Sequence, residues 1–423
     1  MSVRGHFPVK KFCLLLSFCL LLCGCTVRQA PEVPAVTMTP LPTVRPTAAP
    51  TPEPTPEPTP EPTEQPEARQ LTLTQTAKNV SHTLSAQVKN TPLVWIGKDQ
   101  SVSYSTDEPM SYFYIKWNSL PGEWTLSYEG GELLCGQEGF LHECIALPEP
   151  VSSITLTLAE GKARACGAAA FTEGRLPDWV QRWKTPWDRA DLLVFSTHND
   201  DDLLFFGGAE PYYGRELGYA VQVAYLTNHW GDATRPNETL DGLWTMGIDH
   251  YPVISPMNDY LLDQYSDEDT AAYICEQLRR FRPSVVLSQD EKGEYGHGAH
   301  LRLFKALDTA LQSSADPSRF PESAERYGVW DVPKTYLHLY GEEESQTVMD
   351  WDRPLTSFGG LTGFQVAEKA YACHENQVYL SPFYVYGHGT DYDCYRFGLY
   401  RSLVGEDSAK NDFFEHIEVT SHG

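Results

Sequence analysis

Residues 198–202 read His-Asn-Asp-Asp-Asp at the end of an apolar run, and residues 293–300 read Gly-Glu-Tyr-Gly-His-Gly-Ala-His. Three consecutive carboxylates repel one another unless solvent, protons or a cation relieves them. His198 and Asp201 stand three residues apart, as do His297 and His300, so each pair can converge on one point from a tight turn or an early helical turn. Neutral imidazole and carboxylate suit Zn²⁺, and a hydrolytic zinc takes three protein ligands while leaving a position for water. Two histidines and one aspartate make such a set, and Asp200 need not join it. Taken alone, a run of aspartates at a helix start also reads as a solvated, dipole-favoured terminus. The second histidine pair is what turns the reading toward metal chemistry.

The elements around these segments predict where they meet. Residues 191–197, 219–227 and 284–289 are continuous apolar runs, and residues 200–217, 236–247 and 266–281 between them are helix-like, with Ser266 or Asp267 able to cap the last. Apolar strands alternating with helices predict an α/β fold, a Rossmann-like and mostly parallel sheet covered on both faces. In such sheets the ligand site lies beyond the carboxyl ends of the strands, and both histidine-bearing segments follow a strand. Residues 70–180 read instead as short alternating strands separated by turns such as Leu-Pro-Gly, which predicts a smaller antiparallel β-sandwich domain ahead of a domain at 188–423. Trp95, Tyr112, Tyr114, Trp117 and Trp124 of that first region are read as core or, if exposed, as sugar-stacking rings.

The start of the chain addresses its compartment. Arg4, Lys10 and Lys11 precede an apolar segment at 12–23 that is too short for a permanent membrane span, the pattern of a signal peptide over residues 1–24. Its end, Leu22-Cys23-Gly24-Cys25, resembles a bacterial lipobox, which implies cleavage before Cys25 and a lipid anchor on that cysteine. Residues 25–69 form a Pro/Thr/Glu-rich tether that cannot bury a core. As polyproline II its about forty residues reach ~120 Å. The expected location is therefore the extracellular face of the bacterial cytoplasmic membrane, with the membrane a partner through the anchor. With the leader removed, 29 of the 32 basic residues face 57 acidic ones, which argues against a nucleic-acid partner. Of ten cysteines six remain after Cys25, none in a CxxC pair, so disulfides such as Cys135–Cys144 or Cys373–Cys394 and free thiols both stay open.

The two histidine-bearing segments, in this order, resemble the PIG-L/LmbE-type family of zinc N-deacetylases, whose motifs are His-Pro-Asp-Asp-Glu and His-x-x-His. The resemblance covers about residues 190–405. It includes Arg235-Pro-Asn-Glu238, similar to the family's Arg-x-x-Glu helix, and residues 369–377, similar to its late Lys-x-x-Ala…His-x-x-Gln helix. It implies that His198, Asp201 and His300 bind Zn²⁺ or another divalent transition metal. Asp200 is then the general base, His297 faces the scissile carbonyl, Tyr295 matches a mobile tyrosine, and Arg235 contacts substrate hydroxyls. Asn199 stands for proline, Asp202 for glutamate and Gly298-Ala299 for the Pro-Asp often found in the second motif, so the contact made by Asp202 near metal and substrate is the one in doubt. The implied activity is removal of an N-acetyl group from an N-acetylglucosamine-type amino sugar or glycan. A zinc carbohydrate O-acetyl esterase and a non-catalytic glycan- or wall-binding lipoprotein are the alternatives. Sugar identity and oligomeric state are not encoded in any motif.

Overall fold

The computed structural model describes residues 65–90, 94–98, 100–380 and 383–419, and residues 63–423 cluster as one compact unit. The leader, Cys25 and the tether through residue 64 lie outside the described residues.

The first half is antiparallel: β1 (Gln70–Leu71), β2 (Leu73–Ala77), β3 (Val80–Thr83), β4 (Val94–Gly97), β5 (Ser101–Trp117), β6 (Trp124–Tyr128), β7 (Gly131–Cys135), β8 (His142–Leu158) and β9 (Lys162–Phe171) form one hydrogen-bonded sheet. Its two 17-residue strands, β5 and β8, bend where the register breaks between Ser105 and Met110. Tyr104 and Phe113 lie nine residues apart on β5, ~30 Å if the strand ran straight. Their ring centroids are 4.9 Å apart, so the strand folds its two ends face to face around a shared interior. Of the five aromatics weighed in the sequence, only Trp95 is more than half exposed, whereas Tyr114, Trp117 and Trp124 are buried and Tyr112 is partly so.

The second half holds a seven-stranded sheet. Its elements are β10 (Leu192–Ser196), α1 (Asp201–Phe206), β11 (Val221–Tyr225), α2 (Arg235–Thr245), β12 (Val253–Ile254), α3 (Asp267–Phe281), β13 (Val285–Ser288), α4 (Gly298–Ser313), α5 (Pro321–Tyr327), β14 (Lys334–His338), β15 (Thr347–Val348), α6 (Gly363–Tyr371), α7 (Glu375–Leu380) and β16 (Arg396–Ser402). The order is β12-β11-β10-β13-β14-β16-β15, parallel from β12 to β14 and antiparallel across β14–β16 and β16–β15. Every residue of β10, β11, β13 and β14 is buried, as central strands covered on both faces require. Alternate residues serve opposite faces: Leu192 and Val194 join one apolar cluster, Leu193 and Phe195 the other. Ser266 caps α3 through a capping box with Asp269. The helix expected over 200–217 instead breaks after Phe206. Gly207 sits at φ 56, and a Cβ there would come within 2.7 Å of Cys394 Sγ. The six described cysteines beyond the tether are free thiols.

The two halves are joined by buried polar contacts. Residues 113–117 of β5 are all buried, because Phe113, Ile115 and Trp117 face the interior of the first sheet, while Tyr114 packs with Leu176 and Val180 of the connecting segment and Lys116 faces the second half. Lys116 Nζ lies 2.9 Å from Asp241 on α2, His142 Nε2 lies 2.8 Å from Asn237, and Asn237 donates to the Trp117 carbonyl. Lys116→Met leaves Asp241 without its cation. A loss of about 3 kcal/mol in stability is expected in urea denaturation, the low end for a broken buried pair because Asp241 keeps 23% exposure.

Burial, reinforced by Lys116, holds the His142 pKa down at about 3, and burial takes His374 to about 4. The unfolded chain binds these protons near pH ~6.5, so stability is full above that value and falls as pH drops toward the folded pKa, by about 1.4 kcal/mol per pH unit per group. The stability of His142→Gln relative to wild type is therefore expected to rise as the pH drops from 7 to 5, read from the urea midpoints of the two proteins at each pH.

Candidate active site

Parallel order 3-2-1-4-5 reverses direction between β10 and β13, and the crevice beyond their carboxyl ends is where such folds hold ligands. Both histidine-bearing segments leave from that point. Gln289, just past β13, accepts from the Thr197 backbone N–H at 2.9 Å, and the Thr197 carbonyl accepts from Thr227 N at 3.1 Å, tying the loops after β10, β11 and β13. Asp200 is the N-cap of α1, which puts Asp201 and Asp202 in its first turn. His297 is the N-cap of α4, and His300 sits one turn in.

These turns bring three side chains to one centre. Asp201 Oδ2 is 2.8 Å from His198 Nδ1 and 3.1 Å from His300 Nε2, and the two ring nitrogens are 3.2 Å apart. A tetrahedral zinc with ligands at ~2.0–2.1 Å spaces them ~3.3–3.4 Å apart, so this donor triangle fits such an ion. His297 also brings a ring nitrogen within 4.8 Å of those of His198 and His300, so proximity alone admits it as a ligand. The tighter triangle and the negative charge of Asp201 between two imidazoles favour Asp201.

The far side of each imidazole is also held. His198 Nε2 faces Asp259 Oδ1 at 3.1 Å, and His300 Nδ1 faces Glu294 Oε2 at 2.6 Å. A carboxylate accepting from the outer N–H leaves the inner nitrogen's lone pair aimed at the centre. Glu294 Oε1 in turn meets His338 Nδ1 at 3.2 Å from the end of β14. Burial opposes charge on both imidazoles, yet the carboxylates outweigh it: Asp201 and Asp259 raise His198 to about 10, and Asp201 and Glu294 raise His300 to about 9. Burial likewise opposes the Asp201 anion, and the two histidines overcome it, holding its pKa well below the usual range. The pocket is built for positive charge.

Asp200 stands beside this centre rather than in it. Arg235 Nη2 donates to Asp200 Oδ1 at 3.0 Å, and Arg235 Nε donates to Asn199 Oδ1 at 2.8 Å, so the arginine's partners are the first motif and not Glu238. Asn199, in the place of proline, thus clamps the guanidinium. Asp202, expected among the substrate contacts, is fully buried and accepts from Tyr225 Oη at 2.9 Å; the helical turn carries it into the interior, away from Asp201's side. Burial pushes Asp202 up to about 7 and holds its neighbour Glu210 well above the usual carboxyl range, so both keep protons more readily than surface acids. Tyr295 is 42% exposed, with its ring 5.6 Å from that of His297 and 5.7 Å from that of His300. His297 Nδ1 is buried without a hydrogen-bond partner, and burial beside His198 and His300 keeps its ring neutral.

Sequence reasoning passed over Asp259, Glu294, Gln289, His338 and Tyr225. Glu294 carried a signal: it lies six residues before His300, and at φ 53 it occupies a left-handed conformation that costs a non-glycine residue ~1–2 kcal/mol. Glu294→Ala removes the acceptor behind His300 and is expected to weaken metal affinity about 10–100-fold, measured by competition with a chelating dye.

Residues 193–311, spanning both histidine-bearing segments, match the family model described as PIG-L, GlcNAc-PI de-N-acetylase. The chain is 23% identical over 210 residues to a 1D-myo-inositol 2-acetamido-2-deoxy-alpha-D-glucopyranoside deacetylase of Catenulispora acidiphila, over 42% of this chain and 63% of that protein. It is 44% identical over 69 residues to deacetylase 2 of the same description from Saccharopolyspora erythraea, over 16% of this chain and 24% of that one. Among solved structures, the N,N'-diacetylchitobiose deacetylase from Pyrococcus horikoshii resembles it at 18% identity and a TM-score of 0.35, covering 46% of this chain and 74% of that one.

Proposed function

From the premise that residues 193–311 are a PIG-L domain, we propose that this protein is a zinc-dependent hydrolase that removes the N-acetyl group from an N-acetylglucosamine-type amino sugar, at the outer face of the bacterial membrane. The observation that carries this reading is the triangle of His198 Nδ1, Asp201 Oδ2 and His300 Nε2, backed by carboxylates and flanked by Asp200. A divalent ion held there supplies Lewis-acid charge and acidifies a water.

The remaining work falls to the chain's own groups. Arg235 occupies Asp200 Oδ1 and fixes the carboxylate, so Oδ2 is the oxygen that takes the proton from the attacking water. The neutral His297 ring donates an N–H to the oxygen of the tetrahedral adduct. Asp200 then returns its proton to the amide nitrogen as the carbon–nitrogen bond breaks, giving acetate and a free amine. Lipid anchoring at Cys25 is part of the proposal and rests on the lipobox-like sequence.

The test is acetate release by the zinc-loaded protein from N-acetylglucosamine oligomers and, in parallel, from O-acetylated sugars. Release from the amides with little from the esters supports the proposal; ester cleavage alone replaces it with a carbohydrate esterase.

A further inference from the structure

Large exposed aromatics gather on both sides of the metal-type centre. On one side Tyr260 is 69% and Trp230 39% exposed; they directly follow Asp259 and His229, two residues at the outer edge of His198. The Tyr260 ring lies 6.3 Å from that of His229, which lies 6.1 Å from that of His198. On the other side the Tyr295 ring stacks on Phe383 at 5.8 Å and 23°, and Tyr384, 53% exposed, packs at 4.9 Å on Tyr386. The imidazole of His198 separates the two groups: Nε2 faces Asp259, and Nδ1 faces Asp201 and His300. Rings thus run from solvent down to the metal-type histidines from two directions.

The interior beneath is polar and unsatisfied. His229 Nδ1, Tyr371 Oη and His297 Nδ1 are buried without hydrogen-bond partners. Buried polar atoms are ordinarily paired, so such a gathering of donors and acceptors calls for a ligand rich in hydroxyl and amide groups. Open aromatic faces suit the apolar CH faces of pyranose rings, with the polar groups reading their edges.

Resting on the deacetylase reading, we propose that the site takes a linear chain of N-acetylhexosamines and acts on an interior residue, with Trp230 and Tyr260 holding sugars on one side of the reacting acetamide and Tyr295 and Tyr384 holding sugars on the other. A monosaccharide conjugate fills the centre but leaves the outer rings without contact.

Calorimetric titration of the full chain with N-acetylglucosamine, its dimer and its hexamer tests this, with acetate release followed in parallel. The hexamer is expected to bind about tenfold or more tightly than the dimer. Trp230→Ala/Tyr260→Ala is expected to erase most of that gain with the melting temperature kept, since both rings are largely outside the core. Equal affinity for dimer and hexamer, or a gain untouched in the double variant, overturns the proposal even if acetate is released. Length-dependent binding that the variant abolishes supports it; if no acetate then appears, the hydrolytic reading alone fails.

Discussion

Asp200→Asn is expected to retain bound metal and to lose about 10²–10⁴-fold in kcat. The substitution is nearly isosteric, and an amide oxygen in the place of Oδ1 still accepts from Arg235, now 3.0 Å from that atom. His198, Asp201 and His300 make their contacts with one another without Asp200, so metal content by elemental analysis is expected to stay at wild-type level. What disappears is the proposed proton acceptor, and an amide cannot replace it at neutral pH. A kcat within a few-fold of wild type, at full metal occupancy, assigns the base elsewhere.

His300→Ala is expected to act on metal, activity and stability together. His300 is fully buried and bridges two carboxylates, Asp201 at 3.1 Å and Glu294 at 2.6 Å. Truncation removes a proposed ligand and leaves both acids without the imidazole between them. Metal affinity is expected to fall by more than about 100-fold, beyond the effect of changing a residue behind a ligand. Stability is expected to fall by about 3–5 kcal/mol, as when one partner of a buried charged pair is removed. Excess zinc separates the variants: it is expected to restore activity in Glu294→Ala, where the ligand survives, and not in His300→Ala. Full metal binding in His300→Ala at wild-type affinity sinks the proposed ligand set and points to His297 as the third ligand.

The β half changes how these experiments are designed. Lys116, His142 and Asn118 hold α2 from the side, through Asp241, Asn237 and the Ala233 carbonyl, and the first residue of α2 is Arg235. The first sheet therefore buttresses the helix that fixes Asp200. Its residues share one apolar cluster with α1, α2 and α6, so variants are best made in the full chain rather than in a truncated one.

Features that depend on short-range geometry were legible in the order of residues alone. Apolar runs at 191–197 and 284–289 became buried parallel strands, Ser266 became a cap, and residues three apart at 198/201 and 297/300 came to share one side of a turn. Strand and helix periods fix those relations within a few residues, whatever the rest of the chain does. Long-range packing sets the rest: Asp259 stands behind His198, Glu294 links His300 to His338, Arg235 turns to Asp200 rather than Glu238, and Lys116 is buried against Asp241. Those partners come from separate loops and sheets, and no local period relates them. They meet because the strand order and the seam between the halves set which loops adjoin, and because charge buried there has to find an opposite charge or a hydrogen bond.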